Sequence, residues 1–152
     1  MQKTQLFIAT HSEHVLSDSL NHKDKNLVIV LTENSGVIQS KRIDAPSVLP
    51  SITSAETNYL AFDIVSNDYH IELYGWLQNK ESKNTIKSCD DFIRNNALYD
   101  SAIHSKPSSF SRTNYDTLST YIRNAIDHPD PSKTYTEMEL RTSIELLIKL
   151  CQ

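Results

Sequence analysis

The stretch NLVIVLTENSGVIQSKRIDAPSVLP, residues 26–50, contains the point at which the character of the chain changes. It opens with five consecutive apolar residues, 27–31, which are typical of a buried strand. A turn is predicted next, because Asn34 and Gly36 tolerate unusual backbone angles. Residues 37–43 then alternate well enough to pair back on the first strand. This part of the stretch therefore predicts an antiparallel hairpin at the edge of a sheet.

A linker that begins near Ala45 and contains two prolines ends the strand-rich part of the chain. Beyond it, five segments repeat apolar residues at helical spacing. They begin near residues 54, 66, 85, 114 and 136. Thr136 and Glu139 form a capping box at the start of the last segment, and a Ser-, Pro- and Lys-rich stretch around residues 104–112 predicts a loop. We therefore predict a mostly α-helical bundle of about five helices over residues 46–152, and an α+β fold for the whole chain.

Upstream of the hairpin, four largely apolar residues at positions 6–9 predict a short strand that is buried on both faces. Thr-His-Ser follows at residues 10–12, and residues 12–20 show helical spacing. Ligands usually bind at the carboxyl ends of strands in open α/β sheets, where an imidazole can reach a phosphate oxygen or an attacking water. His11 is therefore a candidate ligand-binding residue, although a histidine here also fits a simple polar strand end. The chain up to residue 45 thus predicts a strand–helix–hairpin edge of an α/β sheet.

Composition excludes several classes of function. Two glycines among 152 residues cannot build a Gly-rich phosphate loop, and a net charge of −4 predicts no broad footprint for duplex nucleic acid. No stretch approaches the roughly 20 apolar residues of a membrane span, so no membrane partner is expected. Cys89 and Cys151 follow no metal spacing and are typical of reduced thiols in a cytoplasmic protein. His11 and His14 are three residues apart, but no further ligand completes a metal site, so none is predicted.

The segment TQLFIATHSEHVL, residues 4–16, resembles the final sheet strand and switch-histidine loop of ABC-type ATPases. The closest subgroup is that of the overcoming-lysogenization-defect (OLD)-like and related defence-associated AAA-annotated ATPases. Their pattern is a Thr-Gln pair, an apolar strand, and then Thr-His-Ser and a helix. Residues 26–43 resemble the next hairpin of the same domain. The resemblance implies that His11 is the switch histidine, which contacts the γ-phosphate of ATP or orients the attacking water.

The same resemblance implies that the chain continues something larger. The Walker A loop, the Walker B carboxylate and the signature segment are missing and would lie upstream of Met1. Residues 1–45 would then be the terminal segment of the ATPase domain, with an upstream ATPase sequence or subunit as partner. ATP and Mg would bind only in that context, and no ATPase activity is expected from this chain alone. A partial sheet leaves an unpaired edge, so we also expect a homo-oligomer.

A second informative stretch is YIRNAIDHPDP, residues 121–131, which places Arg123, Asn124 and His128 in an otherwise apolar-periodic helix. A guanidinium can clamp a phosphate and stabilise its growing negative charge, while an imidazole moves the proton. This chemistry suits cleavage of RNA without a metal. Arg123 and His128 are about 140° apart on an ideal helix, so they converge only if the helix ends or distorts near Asp127. Pro129 predicts such an end or distortion there.

This spacing resembles the Arg–polar–x-x-x–His motif of HEPN (higher eukaryotes and prokaryotes nucleotide-binding) domains. Those domains are small helical bundles, many of them metal-independent endoribonucleases, in which the motif usually works across a dimer. The resemblance implies that Arg123, Asn124 and His128 are catalytic and that RNA is the substrate, in an anti-phage defence system. Read from the residues alone, Arg123 can instead form a surface ion pair and His128 can cap the helix C-terminus. The bundle would then be a non-catalytic oligomerisation or partner-docking module.

Overall fold

The computed structural model describes residues 5–22, 25–43 and 48–152. Over these residues the fold is α+β, with seven helices and two antiparallel two-stranded sheets. In chain order the elements are α1 (Glu13–Asn21), β1 (Ile29–Asn34), β2 (Val37–Arg42), α2 (Ser54–Phe62), α3 (Asn67–Lys80), α4 (Ile86–Asn95), α5 (Ser101–His104), β3 (Ser105–Phe110), β4 (Thr113–Thr117), α6 (Leu118–Asp127) and α7 (Glu137–Cys151). The predicted fold class, an α/β edge followed by a mostly helical region, is confirmed. The predicted boundary at residue 45 lies outside the described residues.

Hydroxyl side chains cap the N-termini of the two longest helices of the C-terminal region, α3 and α7. Ser66 accepts a hydrogen bond from the backbone N–H of Tyr69 at the start of α3. The capping box predicted for Thr136 and Glu139 is present at the start of α7. Each cap satisfies backbone donors that the first turn of a helix leaves open, and a cap of this kind is worth about 1 kcal/mol.

The main core lies between α3, α6 and α7. Leu73 and Leu77 of α3, Ile122 of α6, and Ile144 and Leu147 of α7 are all fully buried in it. Burying a side chain of this size contributes roughly 1.5–3 kcal/mol relative to leaving it exposed. Since α6 is one wall of this core, the position of its C-terminal end is fixed by the bundle.

A second, smaller core connects the N-terminal elements to the bundle. Leu20 of α1, Val28 and Val30 on the hairpin side, Ile43 after β2, and Ala61 of α2 are its buried members. Helix α2 therefore has a face in each core, because Ala55 and Tyr59 pack against the main one. The β1–β2 hairpin pairs in the register Ile29↔Arg42 to Asn34↔Val37, as the turn predicted at residues 34–36 requires.

The strand predicted for residues 6–9 is wrong. These residues have no regular secondary structure, and Leu6, Phe7 and Ile8 are 79%, 83% and 67% exposed. A single extended segment is not stable as a strand, because its backbone N–H and C=O groups need a neighbouring strand to pair with. The described part of the chain supplies no such neighbour.

The loop predicted around residues 104–112 is also wrong. Strands β3 and β4 form an antiparallel hairpin there, with a register irregularity between Ser105 and Ser108. The predicted helix near residue 114 consequently starts at Leu118, where the Thr117 hydroxyl accepts the N-cap hydrogen bond from Thr120. Proline has low strand propensity and the stretch is rich in serine, so its composition favoured a loop although a partner strand follows after two residues.

Candidate functional site

The C-terminal end of α6 positions the three residues of the Arg–Asn–His stretch. The helix ends at Asp127, and His128 follows as its C-cap with φ −131° and ψ 76°, outside the helical region. The His128 backbone N–H donates to the Asn124 carbonyl at 3.0 Å. The prediction that the helix ends near Asp127 is confirmed. The next residue, Pro129, disfavours a helical conformation at His128.

The Arg123 guanidinium is held at two of its nitrogens. Its Nη2 lies 2.6 Å from Oδ2 of Asp127, and its Nη1 donates to Oδ1 of Asn124 at 3.1 Å. The helix dipole disfavours a carboxylate in the last turn, and a cation four residues before an anion is the less favourable order for a helical pair. The helix dipole and the order of the pair therefore do not favour an aspartate at position 127. The feature that Asp127 contributes is its direct ion pair with Arg123.

Asn124 is the buried member of the site. Its side chain is turned into the protein, the residue is only 4% exposed, and its Nδ2 atom has no hydrogen-bond partner among the described residues. An amide donor left without a partner costs about 1–3 kcal/mol. The Oδ1 atom of the same amide accepts a hydrogen bond from Arg123, so Asn124 helps to hold the guanidinium in place.

The His128 imidazole stacks on the ring of Phe110, at the end of β3. The ring centroids are 4.4 Å apart and the planes are inclined by 18°. Lys133 Nζ lies 5.1 Å from the centroid of the same phenyl ring. Sequence reasoning missed Phe110 because the stretch that contains it was predicted to be a loop. Its only signal was a lone aromatic residue in a Ser-rich segment.

An open groove of about 530 Å³ runs beside this stack. Its lining residues are Phe110, Asp127, His128, Pro129, Asp130, Pro131 and Lys133. Two hydrogen bonds from Ser132, through its backbone N–H at 2.9 Å and its hydroxyl at 2.8 Å, lower the pKa of Asp130 and keep it ionised. Asp127 and Asp130 therefore offset the charges of Arg123 and Lys133, and a phosphate that approaches the guanidinium meets the carboxylate of Asp127.

The structure brings Arg123 and Asn124 into direct contact and places His128 against Phe110. Among the described residues, no hydrogen bond or ion pair joins the side chains of Arg123 and His128. Both features of the simpler interpretation are present, since Arg123 forms an ion pair and His128 occupies the C-cap. The geometry thus accommodates a catalytic arrangement and a structural one.

His11 lies near the start of the described chain, just before α1, and is exposed. The Ser12 backbone N–H donates to the Thr10 hydroxyl at 3.0 Å, which closes a local turn around His11. The imidazole therefore does not stand at the end of a formed strand, as the sequence predicted. Helix α1 is held to α2 by a hydrogen bond of 3.1 Å from Asn58 to Glu13.

Neither a cluster of metal-ligating side chains nor an exposed thiol occurs among the described residues. No group of three or more His, Cys, Asp or Glu side chains that could hold a metal ion occurs within residues 5–22, 25–43 and 48–152. Both cysteines are free and buried, and burial raises the pKa of Cys89 to about 11 and that of Cys151 to about 12. Thiols of this kind are unreactive at neutral pH. In the same part of the chain, no helix is long and apolar enough to cross a membrane.

Comparison of the chain with protein-family models, curated proteins and solved structures gave no match in any of the three. The function is therefore argued from the site and from the sequence resemblances alone.

Proposed function

We propose that residues 46–152 form a metal-independent endoribonuclease effector, similar to HEPN domains, attached to the terminal segment of a defence-associated, OLD-like ABC-type ATPase. The observation that carries the proposal is the arrangement at the end of α6. There Asn124 and Asp127 fix the guanidinium of Arg123, and His128 leaves the helix one residue later.

The proposed reaction is a transesterification within the RNA strand. The 2′-oxygen attacks the adjacent phosphorus, the bond from phosphorus to the 5′-oxygen breaks, and a 2′,3′-cyclic phosphate and a 5′-hydroxyl result. An imidazole takes the proton from the 2′-hydroxyl, and a second proton goes to the leaving 5′-oxygen. Arg123 stabilises the extra negative charge on phosphorus. Neither step needs a metal ion.

The two proton transfers favour an arrangement with two copies of the chain, because each copy supplies one His128 imidazole. Within one copy, Asp127 and Asp130 offset Arg123 and Lys133, so a polyanion gains little from the groove alone. A second copy would supply a further arginine and a further imidazole for the second proton transfer. The proposal therefore includes a homo-oligomer, as the HEPN resemblance also implies.

The ATPase part of the proposal is supported by apolar surface at the N-terminal end. Paired residues of the hairpin share a face, so Ile29, Leu31 and Ile38 lie on the face opposite the buried Val30, and all three are exposed. Residues 6–8 are also apolar and exposed, and the rest of an ATPase sheet would cover both groups of residues. In that complex, His11 would contact the γ-phosphate of ATP bound with Mg.

The reading frame upstream of the Met1 codon tests this part of the proposal. A Gly-rich phosphate loop there, or in an adjoining gene, supports it. A frame that encodes an unrelated domain, with no such loop nearby, contradicts it.

The ribonuclease part is tested by incubating the purified chain with single-stranded RNA in the presence of EDTA. We expect cleavage by wild type and loss of cleavage in Arg123→Ala and His128→Ala, with unchanged circular dichroism. Arg141→Ala is the matched control, because Arg141 is also held by an aspartate, Asp63, at 2.8 Å. That variant should cleave like wild type. A folded wild-type chain that leaves RNA intact would contradict the proposal.

The alternative is a non-catalytic oligomerisation or partner-docking module. It is favoured by the ion pair of Arg123 and by the C-cap position of His128, which give both residues structural roles. On this alternative no variant differs from wild type in the RNA assay, because there is no cleavage to lose.

A further inference from the structure

We propose that Phe110 is a positioning residue that sets the orientation of the His128 imidazole, which makes the β3–β4 hairpin a working part of the site. The catalytic consequence of this role rests on the proposed ribonuclease function, whereas the orienting contact itself does not. Phe110 would act through His128 and would not contact the reacting atoms.

The stack is the contact that fixes the plane of the imidazole. His128 lies beyond the last helical residue, and its backbone does not have the helical dihedral angles that limit the rotamers of a side chain within a helix. Throughout the described ranges, neither ring nitrogen of His128 has a hydrogen bond to a protein group, and its ring contact is with Phe110 at 4.4 Å. A hydrogen bond from one ring nitrogen commonly orients a catalytic histidine, and it occupies that nitrogen. Stacking orients the ring and leaves both nitrogens available to accept or donate a proton.

Phe110 is the last residue of β3, next to the tight loop of the β3–β4 hairpin. Phe110 pairs with Thr113 across a two-residue loop in which Ser111 and Arg112 have φ of 49° and 66°. Both values lie in the left-handed region, as in the type I′ turns that Asn-Gly usually forms. Side chains other than Gly and Asn adopt this region at a cost, and local strain of this kind is often found near functional sites.

The base of the hairpin is anchored to three helices of the bundle, α4, α6 and α7. Lys106 Nζ lies 4.4 Å from the ring centroid of Tyr121 on α6, and it forms an ion pair of 2.5 Å with Glu139 on α7. At the other strand, the backbone N–H groups of Asp116 and Thr117 donate to the buried carboxylate of Asp90 at 3.0 Å each. These contacts tie both strands of the hairpin to the bundle and so position the backbone that carries Phe110.

The chain offers a matched comparison for Phe110. Lys83 Nζ lies 5.1 Å from the ring centroid of Phe92, the same distance that separates Lys133 Nζ from Phe110. Phe92 packs against the main core, and its ring contacts in the described region include no histidine. The change from phenylalanine to leucine at position 92 therefore removes a similar ring without touching the site.

The first test measures steady-state cleavage of RNA by the full chain. We expect Phe110→Leu to lower kcat about 10- to 100-fold with little change in KM, because a misoriented imidazole slows proton transfer without weakening substrate binding. Phe110→Tyr keeps the ring and should retain kcat within about threefold. Phe92→Leu should behave as wild type. An unchanged kcat in Phe110→Leu, or an equal loss in Phe110→Tyr, would overturn the inference.

The second test does not depend on cleavage. The NMR signals of the His128 ring protons should be shifted upfield by the phenyl ring current in wild type and in Phe110→Tyr. That shift should be lost in Phe110→Leu and kept in Phe92→Leu. His128 signals that are the same in wild type and Phe110→Leu overturn the orienting contact whether or not RNA is cut. The expected shifts in a chain that cuts no RNA would support the contact and contradict only the proposed function.

Discussion

His70, on α3, makes the stability of the fold depend on pH. Its ring is fully buried, Nε2 lies 2.9 Å from the Ser143 hydroxyl, and Nδ1 has no hydrogen-bond partner in the described part of the chain. Burial lowers the pKa of His70 from 6.5 to about 3, because a charged imidazole would lose its hydration without gaining a partner. Between these two values the unfolded chain binds a proton that the folded chain does not, so the free energy of unfolding rises with pH over this window.

The size of the effect follows from the two pKa values. Each pH unit between them is worth about 1.4 kcal/mol, so lowering the pH from 7 to 5 should remove about 2 kcal/mol of stability through His70. His70→Gln keeps a polar group for Ser143 and removes the titration. Its free energy of urea unfolding should therefore change by about 2 kcal/mol less over this pH range than that of wild type. Parallel pH dependences for wild type and His70→Gln would refute the reasoning.

Two further predictions concern buried and helix-terminal carboxylates. The fully buried Asp90 accepts three hydrogen bonds from β4, so Asp90→Ala should lower the free energy of urea unfolding by about 3 kcal/mol. Asp91→Ala, on the partly exposed side of α4, should cost less than about 1 kcal/mol, and equal losses in the two variants would contradict the prediction. Asp127→Asn frees the guanidinium of Arg123 from a competing charge, so it should bind a non-cleavable 2′-deoxy oligonucleotide several-fold more tightly in a fluorescence titration. Its melting temperature should not fall, because the change removes an anion from a helix C-terminus, and unchanged or weaker binding would count against this account.

The helical part of the fold could be predicted from the sequence because its signals are local. Within each of α3, α6 and α7, the apolar residues that form the pattern lie within a few turns of one another. The two residues of the capping box, Thr136 and Glu139, are three positions apart. The apolar spacing predicts which face of a helix is buried, and the capping box predicts where the helix begins. The end of α6 at Asp127 was likewise predictable, because the proline two residues later limits the helix.

The sequence wrongly predicted a strand at residues 6–9. An apolar run indicates that burial of its side chains is favourable, but it does not show which other element would cover them. Residues 6–9 have the composition of a core strand, yet a strand forms only when a neighbour completes its hydrogen bonds. The β1–β2 hairpin could be predicted correctly, because β1 has its partner strand β2 after a short turn. Residues 6–9 have no such neighbouring strand among the described residues.

The site was predictable only in part for the same reason. Arg123, Asn124 and His128 are close in sequence, so their grouping at one helix end could be expected. The contact between Phe110 and His128 joins residues 18 positions apart through a hairpin whose first strand is rich in serine and contains a proline. Its anchor at Asp90 is a tertiary contact, and no local pattern reports such a contact.

The central claim, that His128 moves a proton in cleavage of RNA at the end of α6, is tested most directly by the chemistry of the fragment ends. The purified chain is incubated with a single-stranded RNA oligonucleotide in EDTA, and the fragments are analysed by mass spectrometry. The account predicts fragments with 2′,3′-cyclic phosphate and 5′-hydroxyl ends from wild type, and intact RNA with His128→Ala. Fragments that carry 3′-hydroxyl and 5′-phosphate ends, or equal cleavage by both proteins, would contradict it.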